Sequence, residues 1–187
     1  MNEEDTVTEK SQDSFWAFAQ RMEQELTTPA AILARYATGA DELENAVAGL
    51  VEPSLDLARG SGKWTIRQIV HHVVDGDQLC STWIRAAIAH PGCTIALDWY
   101  NQEIWAQTLY YPGRAIAPAL ALLRANRAVI GELVAHFPYA WERSVLTTWP
   151  DQPDGYERAV GSTLLIQACH VPWHVKQIRE TRDRYQV

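Results

Sequence analysis

The sequence predicts an all-α protein, a four-helix bundle with long connections, and three observations carry that reading. Apolar residues recur every three or four positions in four long stretches, near 28–50, 65–90, 117–136 and 162–184. Thr or Ser stands at the N-cap position of three of them, and Pro or Gly punctuates their limits. Two connections, 93–113 and 137–161, are too long for tight turns, a length more often functional than passive.

Residues 1–13, MNEEDTVTEKSQD, are acidic and polar and read as a flexible tail; 14–187 form a single domain. Ser14 opens a short helix whose apolar positions are Phe15, Phe18, Ala19, Met22 and Leu26. Thr28 then caps a long helix with Pro29 at its first position, and Gly39 is a weak point inside it. After a loop holding Pro53, Gly60 and Gly62, Thr65 caps the next helix, which Pro91–Gly92 ends. Within the 93–113 connection, residues 99–107 suggest a short helix bearing Trp99, Ile104 and Trp105. A helix begins at Ala117–Pro118 and ends near His136; the 137–161 connection follows, with a short strand expected at Val145–Trp149. Ser162 or Thr163 caps the last helix, whose basic end suits the negative end of the helix dipole.

Composition narrows the function. A formal charge of −7 opposes nucleic-acid binding, which rests on Lys and Arg neutralising phosphates, and opposes a polybasic membrane anchor. Three cysteines without tight spacing predict no disulfide framework, and no apolar run spans a bilayer. The acidic N-terminus is unlike a signal peptide, so a cytoplasmic protein with no membrane partner is expected.

The chemistry lies in Ala168–Ile178, ACHVPWHVKQI. His170 and His174 are one helical turn apart on one face and can share a metal ion. The pair continues the stripe of Ile166 and Ile178, so it faces inward, where an imidazole needs a partner. A third ligand is offered by His71 or His72, of which one alone can reach the same ion; His72 is in step with Ile69 and Val73. Three histidines leave a coordination position open, the pattern of catalytic zinc sites. Asp75, three residues past His72, reads equally as a solvated helix charge or as a catalytic group that orients an imidazole or accepts a proton. Cys169 is about 100° round the helix from His170 and reads as a packed thiol.

The stretch Trp64–Asp75, WTIRQIVHHVVD, resembles the first signature of the DinB-like superfamily, and its double His resembles the YfiT-like branch. Trp99–Ala106, WYNQEIWA, is similar to that branch's acidic segment, and His170-x-x-x-His174 to its second metal motif. The resemblance covers about residues 29–180 and implies a four-helix bundle holding a divalent metal, zinc or nickel, on His72, His170 and His174. It implies a homodimer acting on a small-molecule substrate, as a metal-dependent hydrolase or as a transferase using a low-molecular-weight thiol cosubstrate. Two departures stand out. Asp75-Gly76-Asp77 replaces the branch's D-S-H, and Pro172 falls inside the HxxxH turn, where it removes a backbone hydrogen bond and predicts a kink or bulge that the site survives.

The expected active site is therefore a metal pocket walled by Trp99, Trp105 and Trp173 and closed by the 93–113 connection. The rival readings are a non-catalytic, stress-related metal or small-molecule binding protein, and a structural dimer whose site Pro172 has spoiled.

Overall fold

The computed structural model describes residues 14–187; the tail expected at 1–13 lies outside them. A short helix α1 (Phe15–Glu25) precedes four long ones: α2 (Pro29–Val47), α3 (Ile66–Ala89), α5 (Ile116–His136) and α6 (Val160–Tyr185). Between α3 and α5 lie strand β1 (Thr94–Ala96) and helix α4 (Gln102–Thr108); between α5 and α6 lies the hairpin β2 (Ser144–Trp149) and β3 (Gln152–Ala159).

Local chemistry sets the helix starts. The Ser14, Thr28 and Thr65 hydroxyls accept from the backbone N–H three residues on, and at Thr65 the Gln68 side chain accepts in return, completing a capping box. At α6 the sequence expectation fails. The helix starts at Val160, and the Ser162 and Thr163 hydroxyls instead donate to the Ala159 carbonyl. Val160 and Gly161 already donate their N–H groups to Arg143 and Trp141 carbonyls, so no side-chain cap is called for. Similarly α5 begins at Ile116, one residue early, after Ala115 and without a side-chain cap.

The long helices pack in a square. α2 lies against α5 and α6, α3 lies against the same two, and α2–α3 and α5–α6 are the diagonals. One half of the core gathers Leu43, Ile69, Val73, Leu123, Val175 and Ile178, the other Tyr36, Ile84, Ile130, Val145 and Leu164. Each fully buried aliphatic side chain stabilises by about 1.5–3 kcal/mol through apolar area removed from water. The sheet was foreseen only at β2. β1 pairs parallel with β2, Ile95 opposite Thr147, and β3 pairs antiparallel with it, Val145 opposite Arg158. No helix among the described residues is long and apolar enough to cross a membrane.

Gly39 is not a weak point. It is buried against α5, and a Cβ there would overlap the Arg127 guanidinium. Arg127 fills that space, donating through Nε to Asp77 Oδ2 at 2.9 Å and through Nη2 to the Gln167 carbonyl at 3.0 Å. Its Nη1 donates to the Tyr36 carbonyl at 2.6 Å, and Asn126 donates to the other Asp77 oxygen, also at 2.6 Å. A buried ion pair thus ties α2, α3, α5 and α6 together.

Candidate metal centre

The three predicted histidines meet. His72 comes from the second turn of α3, and His170 and His174 come from the middle of α6. His170 Nε2 lies 3.2 Å from His72 Nε2 and 3.1 Å from His174 Nε2. One ligand nitrogen from each ring lies within 4.8 Å of the others. Three nitrogens at about 2.0–2.1 Å from one tetrahedral zinc stand about 3.3–3.4 Å apart, so the observed separations suit such an ion.

Hydrogen bonding alone does not account for the cluster. A neutral ring nitrogen either donates one proton or accepts in one in-plane lone pair, so His170 Nε2 cannot satisfy two neighbours at once. Burial also keeps the rings neutral. Desolvation lowers the His72 pKa to about 4 and the His174 pKa to about 3, and pushes His170 well below the ordinary value, with the other imidazoles adding to the effect. Neutral imidazoles whose lone pairs converge form the donor set of a divalent cation.

Pro172 does not break the helix. Residues 160–185 form one continuous α-helix with the proline inside, and the His170 and His174 rings converge, their centroids 4.6 Å apart. The other departure has a structural reason too. Asp77, where the motif has its third His, pairs with Arg127 inside the bundle, and Gly76 abuts His170, whose Cε1 would lie 3.4 Å from an added Cβ.

His71 and Asp75 of the first motif face elsewhere. The His71 ring lies beside Tyr111, its Nε2 3.3 Å from the Arg114 carbonyl. Asp75 accepts a 2.6 Å hydrogen bond from Tyr111, and among the described residues no hydrogen bond joins it to the three imidazoles. Burial, then the Asp75 bond, raises the Tyr111 pKa, so the phenol keeps its proton. Burial also raises the Cys169 pKa to about 11, in keeping with a packed thiol.

The histidines open on a cavity of about 660 Å³. Trp173 lines it as expected, but Trp99 and Trp105 do not: they stack on each other, centroids 5.7 Å apart, with Trp99 half exposed. The wall is built instead by Trp16, Trp64 and Trp83 with Phe15 and Tyr100. Phe15 meets the His170 ring edge-on at 5.8 Å, so α1 covers the site, and Trp64 meets His72 at 4.5 Å. The 93–113 connection contributes Tyr100, Gln102 and Glu103 to the wall. Glu103 is a lining residue that the reading of the residues did not single out. Its Oε2 accepts from Trp64 Nε1 at 3.2 Å, one indole away from His72. Both residues lie in the quoted motifs, so that signal was present.

A model of the DinB superfamily matches residues 9–178. The chain belongs to this superfamily. Two relatives named "Putative metal-dependent hydrolase", from Bacillus mycoides and Bacillus cereus, are each 26% identical over 144 residues, 77% of this chain and 79% of theirs. Bacillus subtilis YfiT, described as a probable metal-dependent hydrolase with an unusual four-helix bundle topology, superposes with a TM-score of 0.74 at 20% identity, over 83% of this chain and 86% of its own. A mycothiol-dependent maleylpyruvate isomerase superposes at 0.63 with 14% identity, over 81% of this chain and 61% of its own. The all-α DinB/YfiT-like bundle expected from the motifs is therefore the fold of this chain, with the small sheet added.

Proposed function

We propose that this DinB-superfamily protein is a metal-dependent enzyme in which His72, His170 and His174 hold one divalent cation, zinc or nickel, beside a small-molecule pocket. One observation carries the reading: three neutral imidazoles turn their Nε2 atoms to one point on the wall of a 660 Å³ cavity. When bound, the cation supplies Lewis-acid polarisation of a substrate oxygen or sulfur.

The chain's own groups supply the remainder. Phe15 packs edge-on against both His170 and Trp173 and shields that side of the site. Glu103, the one carboxylate among the described lining residues, stands at the mouth, steadied by Trp64, and accepts a proton from the attacking nucleophile. Asp75 serves as a positioning residue. By holding Tyr111 it fixes the segment before α5, next to the helix that carries Glu103.

The names of the relatives favour hydrolysis. The size of the cavity favours a second reaction, transfer of a low-molecular-weight thiol, because it has room for a thiol beside an electrophile; the fold shared with a mycothiol-dependent isomerase adds support. Elemental analysis of untagged protein tests the metal: about one zinc or nickel per chain, lost in His72→Ala and His174→Ala, is expected. Ester hydrolysis against thiol conjugation by the loaded protein then separates the reactions, with Glu103→Gln slowing turnover about 100-fold. A metal bound without turnover in either assay would make this a non-catalytic binding protein.

A further inference from the structure

We propose that the molecule entering this cavity carries an oxyanion, and that Arg158 is the residue that selects it. The inference deepens the reading above and rests on it for the reacting end of the substrate.

The charge of the cavity runs against that of the chain. The whole protein is −7, yet the lining holds Arg59, Lys63 and Arg158 against Glu103 alone among ionised groups. Arg59 is committed, its Nη1 lying 3.2 Å from Glu180 Oε2. Arg158 has no carboxylate partner among the described residues. Its Nε donates to Thr147 Oγ1 at a long 3.4 Å, and its guanidinium is flanked by the rings of Trp149 and Tyr156 at 5.6 and 5.4 Å. Among the described residues the two Nη groups have no acceptor, and a guanidinium so placed is a fork for a carboxylate or phosphate.

The sheet explains how Arg158 gets there. Opposed residues of an antiparallel pair share a face, and Arg158 is opposite Val145, which is fully buried. The hairpin therefore turns Arg158 inward, close enough to Cys80 to pull that thiol's pKa down against the burial that raises it. Polar atoms near this end also lack partners. Among the described residues the buried Trp83 indole N–H has no acceptor and Gln167 Oε1 has no donor, and both residues line the cavity. Gln167 precedes His170 by three residues, about 4.5 Å along α6. The anion seat thus lies toward the start of α6, within one small molecule's length of the histidines.

The test titrates full-length protein, with and without zinc, with 4-phenylbutyrate, its neutral amide and inorganic phosphate, following binding by calorimetry. Phenylbutyrate affinity should fall about tenfold or more in Arg158→Gln and recover only in part in Arg158→Lys, which keeps the charge but loses the fork, while amide binding should stay unchanged in both. Phosphate competing with phenylbutyrate assigns the seat to oxyanions in general; no competition assigns it to carboxylates. Equal phenylbutyrate affinity in wild type and a folded Arg158→Gln overturns the proposal. A loss on His72→Ala but not on Arg158→Gln overturns it too, by placing the anion on the metal. Zinc content read on the same samples reports separately on the three-histidine site, and its absence sinks that reading while the zinc-free titration still decides this one.

Discussion

Two polar clusters lie about one helical turn apart along α3, one reaching across to α5 and the other to α6, and they solve burial in opposite ways. Around Asp77 and Arg127, charges cancel and nearly every donor has an acceptor: both Asp77 oxygens are bonded, and the guanidinium reaches Asp77 and two carbonyls. Around His72, His170 and His174 like groups face one another, and His170 Nδ1 has no partner among the described residues. A satisfied network specifies one packing of the bundle. A cluster of convergent lone pairs lowers stability by itself and is explained by what it holds. That contrast separates the scaffold from the site without reference to any relative.

The sharpest way to break the comparison is acid. In the metal-free protein the imidazoles are neutral, with His72 lowered to about 4 and His174 to about 3, whereas the unfolded chain takes up protons near pH 6.5. The unfolded state therefore binds more protons below pH 6.5, so stability falls as pH drops from about 6.5 toward 4. The slope reaches up to about 1.4 kcal/mol per pH unit for each imidazole. Denaturant unfolding across that range measures it, and a flat profile would mean the rings are solvated. Saturating zinc should raise stability across this range without moving the onset, because proton uptake by the unfolded chain sets the onset and the folded rings are already neutral.

On the other cluster, Arg127→Met leaves Asp77 buried and unpaired and should cost about 3–5 kcal/mol in denaturant unfolding. Zinc stoichiometry of the folded fraction should stay at one. Loss of zinc at unchanged stability would reverse the roles of the two clusters. Gly39→Ala attacks the same network from α2, since its new methyl occupies the guanidinium's place, and should cost about 1–3 kcal/mol.

What was legible in the sequence follows from this division. The long helices were readable because their apolar stripes repeat and three starts carry a capping hydroxyl within a few residues. The histidines were readable for the same reason, being set on a period that predicts facing. β3 was not: QPDGYERA has no alternation of apolar residues and forms because β2 offers it a partner. β1, three residues long, depends likewise on pairing with β2. Arg158 was hidden with them, because what makes it notable is a register across two strands. Trp99 and Trp105 were misplaced since a short helix in a connection fixes its facing through tertiary contacts that no local pattern encodes. Gly39 looked like a flaw because its partner lies 88 positions away.

The smallest test concerns Asp75, which stands between the clusters in sequence and belongs fully to neither. Among the described residues its hydrogen-bond partner is the Tyr111 hydroxyl at 2.6 Å. Tyr111→Phe should cost about 1 kcal/mol in thermal or denaturant unfolding, the net value of one hydrogen bond to a charged acceptor discounted for partial exposure. Zinc content should not change, as neither residue touches the imidazoles. If Asp75 only positions Tyr111, then Asp75→Asn and Tyr111→Phe reduce turnover to the same modest extent, and the double variant adds nothing further. If Asp75→Asn alone abolishes turnover while Tyr111→Phe spares it, the carboxylate takes part in proton transfer itself, and Glu103 loses that role.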